Sequence, residues 1–200
     1  MTKPKILSTA YLLGANLVAL WFALQLNWSL IEVLIVYWLQ AAMVGESHRR
    51  KMRDILDFAA HSSERRRQQI GPLMQAGIQN GFAGIYGLVW IALGVALAFA
   101  YVKAGSPVLR VWSLLLVVAL FAVIHWWSYR VNKPFDQRRR IDVNLLMLPL
   151  FRILIPLHIF LVVVGVDAVS SATSLTIWML IKSAADVGGH VVEHRVDTFQ

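Results

Sequence analysis

Long apolar runs separated by short polar segments dominate the chain, and their lengths predict membrane-crossing helices. A helix needs about 20 mostly apolar residues to cross a hydrocarbon core of about 30 Å. Six runs reach or approach this length, which predicts a single all-α domain, residues 1–200, that forms a bundle of six transmembrane helices. The predicted spans cover residues 6–26, 30–45, 73–102, 108–129, 144–166 and 174–194.

The longest polar segment, residues 46–72, is strongly basic, and we expect it to be a cytoplasmic loop. Within it, four apolar residues recur at helical spacing: Met52, Ile55, Leu56 and Ala59. This spacing predicts a short helix that continues from the second span or lies on anionic lipid headgroups.

Lys and Arg residues are distributed unevenly between the two sides of the predicted bundle. Fifteen flank the span ends on the side of the N-terminus, whereas only Lys103 and Arg110 flank the opposite ends. Cytoplasmic loops of membrane proteins carry an excess of such residues. We therefore expect a multi-pass protein with both termini and both basic loops in the cytoplasm.

Composition supports the membrane class and excludes several kinds of chemistry. Hydrophobic residues make up 58% of the chain, charged residues 15%, and the mean hydropathy is +0.61. The net charge of +8 would suit nucleic acid, but the basic residues cluster beside apolar runs, and no nucleic-acid motif accompanies them. The chain has no cysteine, which excludes disulfides, thiolate metal sites and thiol nucleophiles.

Two basic residues, Arg152 and Lys182, lie deep in predicted spans, where a charged side chain costs a few kcal/mol or more. Such residues normally face the protein interior, where they pair with other groups or serve a function. Four polar residues recur at every fourth position of the sixth span and therefore form one stripe on the helix: Lys182, Asp186, His190 and His194.

Depth along each span is estimated by counting residues at about 1.5 Å each. Arg152 and Asp186 come at similar depths, so we expect their charges to pair, and His158 comes level with Lys182. We predict catalytic roles for Arg152, Lys182 and Asp186, and ligand binding by His158, Arg152 and Lys182. The alternative is a buried ion-pair network that only fixes the register of the helices.

The histidines suggest a metal site toward the cytoplasmic side. We predict that His190 and His194 bind a divalent metal ion together with His125 or Glu46, which come at a similar depth. Residues 190–194 also match H-x-x-E-H, the inverted zincin pattern, although a third ligand would have to come from elsewhere. A haem held by His125 and His190 is a weaker alternative.

Three segments resemble an uncharacterised family of small bacterial and archaeal membrane proteins, known mainly as a domain of unknown function. They are R-x-x-x-P-x-H at 152–158, K-x-x-x-D at 182–186 and Val-Tyr-Trp-Leu at 36–39. The resemblance implies a shared site and a bacterial or archaeal cytoplasmic (inner) membrane location, but no activity. Gln40 stands where members of that family often carry an acidic residue.

Three functions follow as hypotheses. The first is a membrane-embedded enzyme or redox protein that binds a metal or a small anionic ligand at the buried polar residues. The second is an ion- or proton-coupled transporter or channel, and the third is a structural or assembly protein. Partners are expected to be the lipid bilayer and a second copy of the chain, packed through the glycine-bearing third span.

Overall fold

A computed structural model describes residues 3–61, 72–136, 148–154 and 172–195. These residues are helical throughout, apart from the turns at 26–29 and 104–110. The helices are α1 (Lys3–Gln25), α2 (Leu30–His61), α3 (Pro72–Lys103), α4 (Val111–Asp136), α5 (148–154) and α6 (Ala172–Arg195).

Four of the described helices are long and apolar enough to cross a membrane, which agrees with an all-helical membrane protein. The candidate spans are Leu7–Gln25, Leu30–Asp57, Ala76–Lys103 and Val111–Pro134. Helix α6 is not among them, and it carries the polar stripe predicted from the sequence. The six-span count and the orientation of the termini stay predictions.

The outward face of α3 is apolar along most of the helix. Its large side chains at 85, 88, 91, 95 and 99 are each 56–72% exposed. An apolar stripe of this length on a protein in water is a site of association, whereas in a bilayer it contacts lipid chains of the same polarity. The exposure pattern therefore agrees with membrane embedding.

Helix α2 lies at the centre of the described bundle and packs against α3 and α4. Helix α1 packs against α4 and α6. The larger apolar cluster lies between α1, α2, α4 and α6 and includes Val33, Phe121 and Met179. A smaller cluster around Met52, Tyr86 and Leu150 joins α2, α3 and α5.

The turn between α1 and α2 is fixed by a capping box. The Ser29 hydroxyl accepts from the Glu32 backbone N–H at 3.3 Å, and the Glu32 carboxylate accepts from the Ser29 N–H at 2.8 Å. The same carboxylate, which is buried, also accepts from the backbone and the guanidinium of Arg110 at 2.9 and 3.0 Å. Glu32 thereby ties the start of α2 to the turn between α3 and α4.

Two tryptophans join α2 to α3 through a reciprocal contact. The rings of Trp38 and Trp90 stack at 4.3 Å. The indole of Trp38 donates to the Trp90 carbonyl at 3.0 Å, and the indole of Trp90 donates to the Trp38 carbonyl at 2.9 Å. Gly94 makes room for this pair, because a Cβ atom there would lie 2.9 Å from the Trp38 ring.

Replacing Trp90 with phenylalanine should lower the free energy of unfolding by about 1 kcal/mol, since it removes one hydrogen bond and keeps an aromatic ring. Equilibrium unfolding in mixed micelles measures the change. Trp112→Phe is the matched control because Trp112 is 86% exposed. An equal effect of the two substitutions would contradict a structural role for the pair.

Helix α2 continues well beyond the predicted second span. It runs to His61, and Met52, Ile55 and Leu56 are buried, which confirms the predicted helical continuation. Lys51 departs from the expected exposed surface: it is buried, and its Nζ lies 3.3 Å from Asp136 of α4. The cause is the close packing of α2 on α4.

Several glycines of α3 face open space. Added Cβ atoms at Gly77, Gly81 and Gly84 would meet nothing within 4 Å. The described residues therefore leave this glycine face uncovered. A homodimer packed through α3 stays a prediction.

Candidate functional site

Three charged residues form an ion-pair cluster between α5 and α6: Arg152, Lys182 and Asp186. The Asp186 side chain is fully buried. Lys182 donates to its Oδ1 at 2.5 Å, and one terminal nitrogen of Arg152 lies 3.6 Å from the same oxygen. Gln40 of α2 donates to the other oxygen at 3.2 Å. The pairing expected from helix depth and from the four-residue spacing on α6 is therefore present.

A glycine on α6 makes the approach of Arg152 possible. A Cβ atom at Gly189 would lie 2.7 Å from both Cγ and Cδ of Arg152, closer than real side-chain atoms approach. The hydrogen at this position lets the arginine stem cross the face of α6. Neighbouring Gly188 has no atom within 4 Å of an added Cβ and plays no such part.

Two cations, Arg152 and Lys182, lie beside one carboxylate in the ion-pair cluster. Lys182 also lies over the ring of Tyr37, 5.1 Å from its centroid, where the negative face of the ring favours a cation. Removing these charges from water is costly, and their pairing offsets part of that cost.

A polar cavity lies beside the cluster, enclosed by the start of α1, the second half of α2, the end of α4, α5 and α6. The volume open to the centre of a water molecule is about 40 Å³, enough for a few waters or one small ion. No carboxylate lines it among the described residues. Its polar wall consists of Ser8, Ser47, His48, Lys51, His125, Ser128, Tyr129, Arg152 and His190.

Two histidines of this wall have different surroundings. The Nε2 atom of His190 lies 2.8 Å from the hydroxyl of Ser8, which joins the end of α6 to the start of α1. The Nε2 atom of His125 is buried and has no hydrogen-bond partner among the described residues. His125 and His190, which were predicted at a similar depth, both line the polar cavity.

The predicted metal set is not assembled in the described part of the chain. Glu46 accepts hydrogen bonds from Arg49 and Arg50 at 2.7 Å and is absent from the cavity wall. No group of three His, Asp or Glu residues is placed to hold a metal within the described ranges. The His194 side chain and His158 lie outside the described residues, so their roles stay predictions.

Much of the cavity wall was not predicted from the sequence. His48 and Lys51 lie in the segment predicted to be a cytoplasmic loop, yet His48 comes four residues before the buried Met52, and Lys51 comes four before the buried Ile55. This helical spacing was a signal that they share the buried face. Ser8 and Ser128 carried no such signal, because a hydroxyl in a span usually bonds to its own helix.

A family model described as a family of unknown function (DUF6498) matches residues 2–199. The chain belongs to this family. The resemblance to an uncharacterised family is thereby confirmed, whereas a bacterial or archaeal origin stays a prediction. No curated protein and no solved structure matches the chain. Since the family has no assigned activity, function has to be argued from the site itself.

Proposed function

We propose that this chain is an integral membrane protein that binds a small anionic ligand in the polar cavity. The observation that carries the proposal is the wall of the cavity. Among the described residues it offers the basic side chains of Lys51 and Arg152, three histidines and several hydroxyls, and it offers no carboxylate. Such a wall presents donors and positive charge to its contents, which is the complement of an anion.

The membrane location rests on two further observations. The four long apolar helices and the exposed apolar stripe of α3 suit a hydrocarbon surrounding. The polar cavity lies at the end of the bundle where α1 begins and α6 ends, which is also where the basic residues cluster. Under the positive-inside rule this end faces the cytoplasm, so the ligand enters from there.

We include catalysis at this site in the proposal without assigning a reaction. Arg152 borders the cavity and would hold the anion. Asp186 and Lys182 stand behind Arg152 and fix its position. Transport has less support than binding. The described residues between the ion-pair cluster and the turns at 26–29 and 104–110 pack into the larger apolar cluster around Phe121.

Anion binding is tested by thermal unfolding of the purified protein in detergent with phosphate, sulfate, acetate and chloride at constant ionic strength. A ligand that binds only the folded state raises the unfolding temperature with the logarithm of its concentration once that concentration exceeds its Kd. We expect at least one of these anions to stabilise the protein with this dependence on concentration. If none acts beyond the effect of ionic strength, the proposal is wrong.

The variant His125→Leu should weaken anion binding without lowering the stability of the protein. Because the buried Nε2 atom lacks a partner among the described residues, an apolar side chain should leave the ligand-free protein as stable or slightly more stable. The same change removes a donor from the cavity, so anion affinity should fall about fivefold, which corresponds to about 1 kcal/mol. Isothermal titration measures the affinity.

Arg50→Gln serves as the control for that titration, because Arg50 is half exposed and pairs with Glu46 outside the cavity. Its anion affinity should equal that of the unmodified protein. An equal loss in Arg50→Gln and His125→Leu would show that anions bind the basic surface and not the polar cavity.

A further inference from the structure

The outward face of α4 is a continuous exposed stripe that ends in an arginine. Its members follow one another at alternating spacings of four and three residues, which is the period of one helical face. All of them are exposed: Trp112, Leu116, Ala119, Val123, Trp126 and Arg130. None of them lines the polar cavity, so the small-anion site makes no use of this face.

The dimensions of the stripe match a lipid surrounding. Its apolar part, from Trp112 to Trp126, extends about 21 Å at about 1.5 Å per residue, which is most of a hydrocarbon core of about 30 Å. Tryptophans at both ends of such a stripe are typical of the two membrane interfaces. Given the membrane location proposed above, Arg130 lies one turn beyond the inner tryptophan, at the level of the lipid headgroups.

The guanidinium of Arg130 is positioned by an aromatic ring and has no acidic partner. Its Cζ atom lies 5.1 Å from the centroid of the Trp126 ring, which is itself 53% exposed. Among the described residues no carboxylate forms an ion pair with Arg130. Lys133, on the same helix, is instead paired with Asp54 at 2.8 Å. Arg130 therefore keeps its N–H donors for a group outside the protein.

The chemistry of such a group follows from the guanidinium and from the stripe below it. A guanidinium presents its N–H donors in a planar fork that binds two oxygens of a phosphate group. A phospholipid offers a phosphate at headgroup level and acyl chains that lie against an apolar helix face. An anionic headgroup such as phosphatidylglycerol suits Arg130 better than phosphatidylcholine, because choline adds a second cation beside the arginine.

We propose that Trp126 and Arg130 form a binding site for an anionic phospholipid, with the lipid phosphate at the Arg130 guanidinium and the acyl chains along the apolar stripe of α4. The Trp126 ring holds the guanidinium at the headgroup level. Val123 and the apolar residues beyond it contact the chains. The site uses the membrane location but not the polar cavity, so it stands or falls independently of the small-anion site.

Quenching of Trp126 fluorescence by brominated lipids tests the proposal. The purified protein is reconstituted in phosphatidylcholine bilayers with increasing fractions of brominated phosphatidylglycerol or of brominated phosphatidylcholine. The emission of Trp126 is the difference between a protein and the same protein with Trp126→Phe. We expect phosphatidylglycerol to bind beside Trp126 about fivefold more tightly than phosphatidylcholine, which is the preference that one basic residue supplies. Equal quenching by the two lipids would overturn the proposal.

Two arginine variants locate the site. Arg130→Gln removes the guanidinium from an exposed position and should abolish the lipid preference at Trp126. Arg53→Gln is the matched control, because Arg53 is exposed on α2 and its replacement removes the same charge. This control should keep the preference of the unmodified protein. An equal loss in both variants would show that the total charge attracts anionic lipids, and it would contradict a site at Arg130.

Discussion

Replacing Asp186 with alanine is expected to lower the free energy of unfolding by about 3–5 kcal/mol. The substitution leaves Lys182 and Arg152 buried next to each other without the carboxylate that they share. Breaking a buried ion pair by removing one partner is costly because an uncompensated charge remains in a medium that solvates it poorly. Equilibrium unfolding in mixed micelles of mild detergent and dodecyl sulfate measures the loss.

Two comparisons make this expectation specific. Glu46→Ala breaks a half-exposed pair with Arg49 and should cost about 1 kcal/mol or less. The combined variant Arg152→Met, Lys182→Met and Asp186→Leu removes the whole cluster and should recover most of the stability lost in Asp186→Ala, since apolar side chains of similar size can replace a buried ionic group. A small effect of Asp186→Ala would show that water reaches the cluster freely.

The second large effect is expected for Gly189→Ala. The new methyl group would overlap the Cγ and Cδ atoms of Arg152, so the arginine has to leave its position across α6. We expect overpacking to cost about 1–3 kcal/mol, partly offset by the higher helix propensity of alanine. Anion affinity should fall at least tenfold, because the displaced guanidinium of Arg152 would no longer border the polar cavity.

The neighbouring glycine supplies a matched control. Gly188→Ala adds the same methyl group one residue earlier on the same helix, where nothing lies within 4 Å. This variant should be up to about 1 kcal/mol more stable and bind anions normally. Unfolding and isothermal titration of the two proteins side by side check the difference. If both glycine variants lose anion affinity equally, Arg152 is not the group that binds the ligand.

Sequence could predict the long apolar helices and the ion pairs because each follows from a local physical rule. Hydropathy over about 20 residues marks the candidate spans. A charge deep in a span demands an opposite charge at its own depth, which was enough to match Arg152 with Asp186. The spacing of four on α6 then placed Lys182 on the same carboxylate.

The polar cavity could not be predicted in the same way, because it depends on how the helices are rotated about their axes. Lys51 and His48 look like members of a basic cytoplasmic segment until α2 is packed on α4. The separation of α2 and α3, which the Trp38–Trp90 contact helps to set, could not be predicted either. Sequence periodicity carries no direct information about this distance.

The contact between Ser8 and His190 has a consequence for biosynthesis. Ser8 belongs to the helix that the ribosome makes first among those described, and His190 belongs to the one made last. Because domains are synthesised from the N-terminus onward, the early helices are made before the site can exist. The anion binding proposed above therefore requires that α6 has been made and packed against α1, so the ligand binds only a chain whose first and last described helices have met.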